Sequence, residues 1–293
     1  MSVGKAAISA APWRGALVAL AILSMPVGPA FAQPVSYPDL AEPLPESPNR
    51  TYADLVRLVV PGIGGDGASG SGVIDLRHID GTDMAGLEPM SVESPRIAVV
   101  PARSRGLDRV ALLLDLGESR HDVSSFVVLA LFDVAGEPRL LDAATVAFNR
   151  WTSFAEPARL PVGTGEDLLV TRSTHFNSSQ GYATTALILA HDDRLELVDT
   201  ISTFDDRACG FERQQRLGIR HGAERPLSDI VSDIVAVVTE LTAVSGEDCG
   251  DATVPQPGTR TIAVTYRWDV GERRYVPDSD AFDALASENE SRF

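Results

Sequence analysis

The stretch of sequence that decides the fold is Arg109-Val-Ala-Leu-Leu-Leu-Asp115, followed by Phe126-Val-Val-Leu-Ala-Leu-Phe-Asp133 and Arg139-Leu-Leu-Asp142. Each run is short and rich in Val, Leu, Phe or Ala. Polar or Gly- and Pro-containing residues separate the runs. Short apolar runs bounded by turn-forming residues are typical of strands joined by hairpins. The sequence therefore predicts a mainly β fold with antiparallel pairing.

The same order of segments occurs a second time along the chain, and more faintly a third time. Residues 167–204 follow the order of residues 109–148, and Asp199 takes the place of Asp142. Residues 264–282 offer the faint third copy. Each copy predicts a three-stranded antiparallel meander, and the copies would stack as propeller-like blades or within a sandwich or barrel. Chance similarity between amphipathic hairpins is the alternative explanation.

Segments outside these copies also have the composition of strands, so strands are predicted along most of the chain. Residues 227–244 fit a helical stripe as well as a strand, but their many β-branched residues favour a strand from about residue 233. The predicted strands cover residues 73–79, 96–100, 109–116, 125–134, 139–148, 167–173, 182–190, 194–203, 261–270 and 273–277.

Two short helices are predicted near the ends of the chain. Thr51 and Asp54 have the spacing of a capping box, and apolar residues at helical spacing follow over residues 52–59. The tail at residues 279–289 has helical character, with Phe282 and Leu285 on its buried side.

The first 32 residues are predicted to be an export signal. Lys5 and Arg14 precede an apolar run at residues 15–23, and Ala30-Phe-Ala32 provides small residues for cleavage after Ala32. The run is too short to cross a bilayer, so we expect no membrane span in the mature chain. The sequence thus predicts a periplasmic or secreted protein with an extended, exposed Pro-rich leader at residues 33–49 and a single β-rich domain at residues 50–293.

The charge of the mature chain excludes several classes of function. Without the signal, 23 basic residues face 41 acidic ones, which gives a net charge of −18. Such a surface repels nucleic acid and anionic headgroups. Lys5 is the only lysine in the sequence, so the mature chain has no lysine for Schiff-base or P-loop chemistry.

The two cysteines predict a disulfide. Cys209 and Cys249 both lie in the exported part, and a lone pair of cysteines in an oxidising compartment is typically bonded. The bond would close a loop of about 40 residues, which contributes roughly 4 kcal/mol in the chain-entropy model. A metal site or a redox pair is the alternative, but neither the cysteine spacing nor neighbouring histidines support it.

No cofactor or metal site is predicted. Residues 62–67 match the letters of the dinucleotide fingerprint, but a helix precedes them where that motif needs a strand. The five histidines do not occur at metal-ligand spacing. His191-Asp-Asp193 is interpreted as an ordinary polar hairpin tip.

The candidate binding site is the polar stretch Ser173–Tyr182 between two strong strands. His175, Asn177, Gln180 and Tyr182 offer donors, acceptors and aromatic surface, and His121 occupies the place of His175 in the first copy. Loops on a rigid β scaffold commonly carry binding sites. The sequence therefore predicts a non-enzymatic module for an envelope glycan or a partner protein, and an ordinary polar turn is the plain alternative.

Catalysis by two carboxylates is the competing prediction. A hydrolase of an envelope polymer would need two acids facing one cleft. A third interpretation is an accessory domain whose acidic surface has no specific ligand. The candidate acids for hydrolysis are Asp115, Glu118, Asp142 and Asp199.

Overall fold

The computed structural model describes residues 34–63, 69–70, 72–82, 92–93, 95–118, 125–224, 232–247, 249–250 and 254–292. The predicted export signal therefore lies outside the described residues. Within the described ranges the protein is mainly β, as predicted, with antiparallel sheets and two short helices.

The strands and helices are numbered in chain order. They are β1 (Pro43–Leu44), β2 (Ser47–Thr51), α1 (Tyr52–Val59), β3 (Ser69–Gly70), β4 (Arg77–His78), β5 (Val92–Glu93), β6 (Arg96–Ser104), β7 (Leu107–Glu118), β8 (Ser125–Asp133), β9 (Arg139–Thr145), β10 (Trp151–Pro161), β11 (Asp167–Phe176), β12 (Gln180–His191), β13 (Arg194–Ala208), β14 (Phe211–Glu224), β15 (Ser232–Val244), β16 (Gly258–Asp269), β17 (Arg274–Pro277) and α2 (Ala281–Glu290).

A five-stranded sheet forms the first half of the molecule, in the order β4-β9-β8-β7-β6. One face of this sheet packs against α1 through an apolar cluster that includes Leu55, Val59 and Leu112. The predicted capping box is present, because the Thr51 backbone N–H donates to Asp54 Oδ2 at 2.8 Å. The predicted α1 therefore forms over the expected residues and covers one face of the sheet.

The Pro-rich leader is less exposed than the sequence suggested. Leu44 is buried in the same cluster as α1. Ser36 pairs with Val99 of β6 through backbone hydrogen bonds of 2.8 and 3.0 Å. The expectation of a fully exposed segment is wrong at these positions, because the apolar side chain and the backbone both find partners on the first sheet.

The other face of the first sheet packs on an eight-stranded sheet. The buried layer between them includes Leu129 and Leu131 of β8 and Leu169 and Ile188 from β11 and β12. Of the architectures left open by the sequence, this arrangement corresponds to a sandwich of two sheets.

The eight-stranded sheet follows the order of the chain from β10 to β17 without a crossover. It curves so that β10 approaches β14, and its inner face packs around α2 through Tyr266, Phe282 and Leu285. The predicted burial of Phe282 and Leu285 is therefore confirmed.

A buried polar group, named the Glu240 cluster, fixes α2 and its C-terminal flank to this sheet. Gln215 Nε2 donates to Glu240 Oε2 at 2.7 Å and to Asn289 Oδ1 at 2.9 Å. Arg260 and Arg292 each place a guanidinium nitrogen 2.9 Å from the Glu240 carboxylate. Burial opposes ionisation, but the hydrogen bonds from Gln215, Arg292 and Arg260 outweigh it and hold the pKa of Glu240 below its usual value.

The first two copies of the proposed repeat form meanders of the same kind. Strands β7–β9 and β11–β13 are both three-stranded and antiparallel. In each meander the strand pairing shifts by one residue directly before an aspartate. This aspartate is Asp142 in the first meander and Asp199 in the second. Each of these carboxylates accepts a hydrogen bond from the next backbone N–H, at 2.9 and 2.7 Å.

The third copy differs from the expectation of three strands. Strands β16 and β17 form a two-stranded hairpin, and the chain then enters α2. Other parts of the structure also differ from the prediction. Residues 73–79 contribute only the short β4, and neither β10 nor β14 was predicted.

The predicted disulfide is present between Cys209 and Cys249, with a Cα–Cα distance of 5.7 Å. It ties the turn between β13 and β14 to the segment that follows β15. Across the residues listed above, no helix is long and apolar enough to span a membrane.

Candidate functional site

The stretch expected to be a long loop is a tight β-hairpin. Strand β11 continues to Phe176 and β12 begins at Gln180, so only Asn177–Ser179 form the turn. The Asn177 backbone N–H donates to the Gln180 carbonyl at 3.0 Å. The expectation was wrong because His, Phe, Thr and Tyr side chains suit a strand as well as a polar loop.

The structure brings four of the five predicted binding residues together at this turn. The Tyr182 hydroxyl donates to Gln180 Oε1 at 2.9 Å, and Asn177 Nδ2 donates to the same oxygen at 3.1 Å. The His175 ring packs edge-on against Tyr182, with ring centroids 6.1 Å apart. The fifth residue, His121, lies outside the described residues. The four side chains thus support one another within the turn.

An exposed aromatic ring lies beside this turn. Phe176 is 58% exposed and is paired across the hairpin with Gly181. A Cβ atom on Gly181 would lie only 2.9 Å from the Phe176 ring, so the ring covers the glycine backbone closely. One surface of the ring is therefore held against the sheet while the other faces solvent.

A second exposed aromatic lies on the same face of the sheet. Trp151, at the start of β10, is 54% exposed and pairs with Thr174 of β11. Because side chains alternate along a strand, Thr174 and Phe176 point to one face and Trp151 joins them. Diagonal neighbours of this kind lie about 7–8 Å apart. Phe176 lies within the stretch that the sequence singled out, although it was not named among the binding residues, whereas Trp151 lies outside that stretch.

A depression of about 210 Å³ adjoins Phe176. The turn residues Asn177 and Gln180 form one side of it, and the β13–β14 hairpin at residues 205–213 forms the other. Gly210 lies at the tip of that second wall with φ +81°, and a Cβ there would lie 2.8 Å from Cys249 Sγ. Only glycine therefore fits beside the disulfide, which holds this wall in place.

A buried polar group lies at the opposite end of β11 and β12, and we name it the Glu166 cluster (Glu166, Asp167 and His191). Glu166 Oε1 accepts a hydrogen bond from the Arg105 backbone N–H at 2.9 Å and lies 3.5 Å from His191 Nδ1. Within the described part of the chain, Glu166 Oε2 and His191 Nδ1 have no hydrogen-bond partner. Sequence analysis missed this contact, although the register of the β11–β12 hairpin implies it.

Asp167 is wholly buried in the same cluster and faces the first sheet. Arg159 Nε lies 3.0 Å from Asp167 Oδ2 as an ion pair, but neither carboxylate oxygen has hydrogen-bond geometry with a described residue. Burial raises the pKa of Asp167, and Arg159 offsets this only in part. Burial likewise raises the pKa of Glu166 against the opposing hydrogen bond from Arg105.

Three of the four acids considered for hydrolysis are engaged in hydrogen bonds or ion pairs within the fold. Asp142 Oδ2 accepts from the Leu195 backbone N–H and from Arg77, both at 2.8 Å, and so links the two sheets. Asp199 Oδ2 accepts from the Tyr266 hydroxyl at 2.5 Å inside the curved sheet. Asp115 pairs with Arg96 at 2.5 Å, and Glu118 is exposed at the end of β7.

Metal-ligand geometry occurs at one place among the described residues. Cys209, Cys249 and Glu247 bring their ligating atoms within 4.8 Å of one another. Both sulfur atoms form the disulfide, so the Glu247 carboxylate is the one metal ligand that remains in this group.

No family model matches this chain, and no curated protein or solved structure is significantly similar to it.

Proposed function

We propose that this protein is a non-enzymatic binding module for an envelope glycan, with its site at the β11–β12 turn. The site consists of the exposed Phe176 ring, the side chains of Asn177 and Gln180, and the adjoining depression. The observation that carries the proposal is the Phe176 ring, held against Gly181 with its outer surface open to solvent.

The chemistry of the site suits a sugar. Sugar rings present apolar C–H surfaces that pack on aromatic rings, and their hydroxyl rims pair with amides and carboxylates. Binding sites for small polar ligands combine such apolar surfaces with a few fixed polar groups. Here the amides of Asn177 and Gln180 are held in place by mutual hydrogen bonds, and Asp205 and Asp206 line the depression.

The predicted location supports the same proposal. A cleaved export signal at residues 1–32 would place the mature chain outside the cytoplasm, where envelope polymers are found. The disulfide between Cys209 and Cys249 fits an oxidising compartment. Binding without catalysis is preferred, since Asp142 and Asp199 are engaged in internal hydrogen bonds.

Co-sedimentation of the mature protein with insoluble envelope polysaccharides, including peptidoglycan, tests the proposal. We expect retention by at least one polymer and a loss of roughly tenfold or more in affinity for Phe176→Ala, because the stacking surface is removed. Leu107→Ala is the matched control, since Leu107 is also exposed and lies at the far end of the sandwich. Absence of retention on every polymer, or equal losses in both variants, would refute the proposal.

A further inference from the structure

A groove of about 160 Å³ opens on the inner face of the curved sheet, next to the proposed site. Strands β13 and β14 pair only between residues 206–208 and 211–213 and then separate. Their separation leaves space between β11–β13 on one side and Leu217 and Ile219 of β14 on the other.

Arg172 lies on the wall of this groove and has no charged partner among the described residues. It is an exposed residue in the middle of β11, with Ser153 and Thr185 as its strand neighbours. Its side chain has no ion pair or hydrogen bond with any other residue that the structure describes. By contrast, Arg216 in the same groove is bonded to Asp205 at 2.9 Å. Arg172 is thus the cation in the groove that remains available.

The same groove contains two threonine residues. Thr185 and Thr203 line it and are only 3% and 7% exposed. Neither hydroxyl has a hydrogen-bond partner among the described side chains, whereas Gln215 beside them is fully bonded. Both hydroxyls are therefore available to donate to a ligand in the groove.

The groove is continuous with the aromatic surface. Arg172, Thr174 and Phe176 alternate onto one face of β11. Arg172 and Phe176 are four residues apart along the strand, which corresponds to roughly 13 Å. Asp205 lines the depression beside Phe176 and also binds Arg216 of the groove. An extended chain could therefore lie across Phe176 and reach Arg172.

We infer that the groove is a second subsite that binds a carboxylate substituent, so that the glycan of the proposed function is an acidic one. The Arg172 guanidinium would pair with the sugar carboxylate, as arginine does in bidentate fashion, and Thr185 and Thr203 would donate to it. Glu156, the carboxylate at the groove rim, makes no ion pair with Arg172 and is free to accept from a sugar hydroxyl. This inference rests on the proposed function and specifies its ligand.

The test compares one acidic polysaccharide with the same polymer after chemical reduction of its carboxyl groups to alcohols. Affinities are measured for the mature protein, for Arg172→Gln and for Arg194→Gln. Arg194 is a matched control because it is also exposed and without an ion pair among the described residues, and it lies at the other end of the sandwich. Thermal unfolding of each variant checks that the fold is retained.

We expect the mature protein to bind the acidic polymer roughly tenfold or more tightly than the reduced one, as one charged hydrogen bond would give. Arg172→Gln should bind both polymers equally, and Arg194→Gln should keep the preference. Equal binding of both polymers by the unmodified protein, or a preference that survives Arg172→Gln, would overturn the acidic subsite and leave the glycan proposal standing. Binding of neither polymer would overturn the acidic subsite, and the co-sedimentation test with the full set of polymers would then decide the glycan proposal.

Discussion

The Glu240 cluster and the Glu166 cluster both contain buried carboxylates, but the pKa values of these carboxylates shift in opposite directions. Glu240 receives hydrogen bonds from Gln215 and from two arginines, and its pKa is lowered. Glu166 and Asp167 keep oxygens without a hydrogen-bond partner among the described residues, and their pKa values are raised. Burial alone therefore does not decide the charge state; the number and geometry of the donors do.

The difference also separates two roles for buried charge. The Glu240 cluster joins β14, β15, β16 and the end of α2, so its hydrogen bonds hold the inner face of the curved sheet together. The Glu166 cluster lies where hairpin ends of both sheets meet, and its unmatched oxygens oppose folding near neutral pH. Three predictions test this contrast, from the largest expected effect to the smallest.

Glu240→Gln should lower the free energy of unfolding by about 3–5 kcal/mol, because Arg260 and Arg292 lose the carboxylate that compensates their charge. Urea unfolding at neutral pH measures the change. Glu118→Gln is the control, since this exposed glutamate should change stability by no more than about 0.5 kcal/mol. A loss in Glu240→Gln as small as that of the control would mean that the cluster is not a structural anchor.

Asp167→Asn should raise the free energy of unfolding near pH 7 by about 1–3 kcal/mol, because a buried charge with unmatched oxygens becomes neutral at nearly the same volume. Arg159 remains partly exposed to solvent and keeps its own hydration. The measurement is again urea unfolding, with the exposed Asp75→Asn as control. A destabilised Asp167→Asn would show that the ion pair with Arg159 outweighs the cost of burial and that the two clusters are alike.

Stability should rise on mild acidification, by on the order of 1 kcal/mol between about pH 7 and about pH 5. Raised pKa values of Glu166 and Asp167 mean that the folded protein binds their protons before the unfolded chain does. Their contribution to the free energy of unfolding is fully present below about pH 4, the pKa of these groups in the unfolded chain. It is lost as the pH rises through their raised pKa values in the folded protein. The contribution of Glu240, whose pKa is lowered, is present above about pH 4 and is lost on stronger acidification.

The double variant Glu166→Gln/Asp167→Asn isolates this effect, since all other titrating groups stay the same. Its unfolding free energy, measured by urea titration at several pH values, should rise less on acidification than that of the unmodified protein, because only Asp199, whose pKa is also raised by burial, still contributes such a gain. Parallel pH profiles for the two proteins would contradict the assignment of the gain to the Glu166 cluster.

Much of the architecture was predictable from local signals. The helical spacing after Thr51 predicts α1, and the runs around Leu113, Leu129 and Leu187 predict central strands of both sheets. Strand β14 was missed because its polar run at residues 212–216 carries no apolar alternation; pairing with β15 holds it. Strand β10 was missed because it contains Pro157, and a proline normally indicates a break in a strand. Here β10 is the edge strand of its sheet, where a proline is tolerated.

The candidate site was predictable only in part. The residue types at positions 175–182 indicated a polar binding surface, but the position of the turn was not visible in the sequence. Once Asn177–Ser179 are known to be the turn, the register places Phe176 over Gly181 and Glu166 next to His191. The groove beside Arg172 depends on the separation of β13 from β14, which is a tertiary property that no local pattern records.

The eight-stranded sheet has one more consequence, which concerns how the chain reaches this structure. Each strand from β10 to β16 pairs with the strand that follows it in sequence. Contact order is therefore low for a sheet of this size, because most of its hairpins need only a short loop to close, although the connection between β15 and β16 at residues 245–257 is longer. Such a sheet can assemble progressively, one hairpin upon the last, as the polypeptide becomes available from its N-terminal end. The parallel contact between β4 and β9, which spans more than sixty residues, is by comparison a slow step.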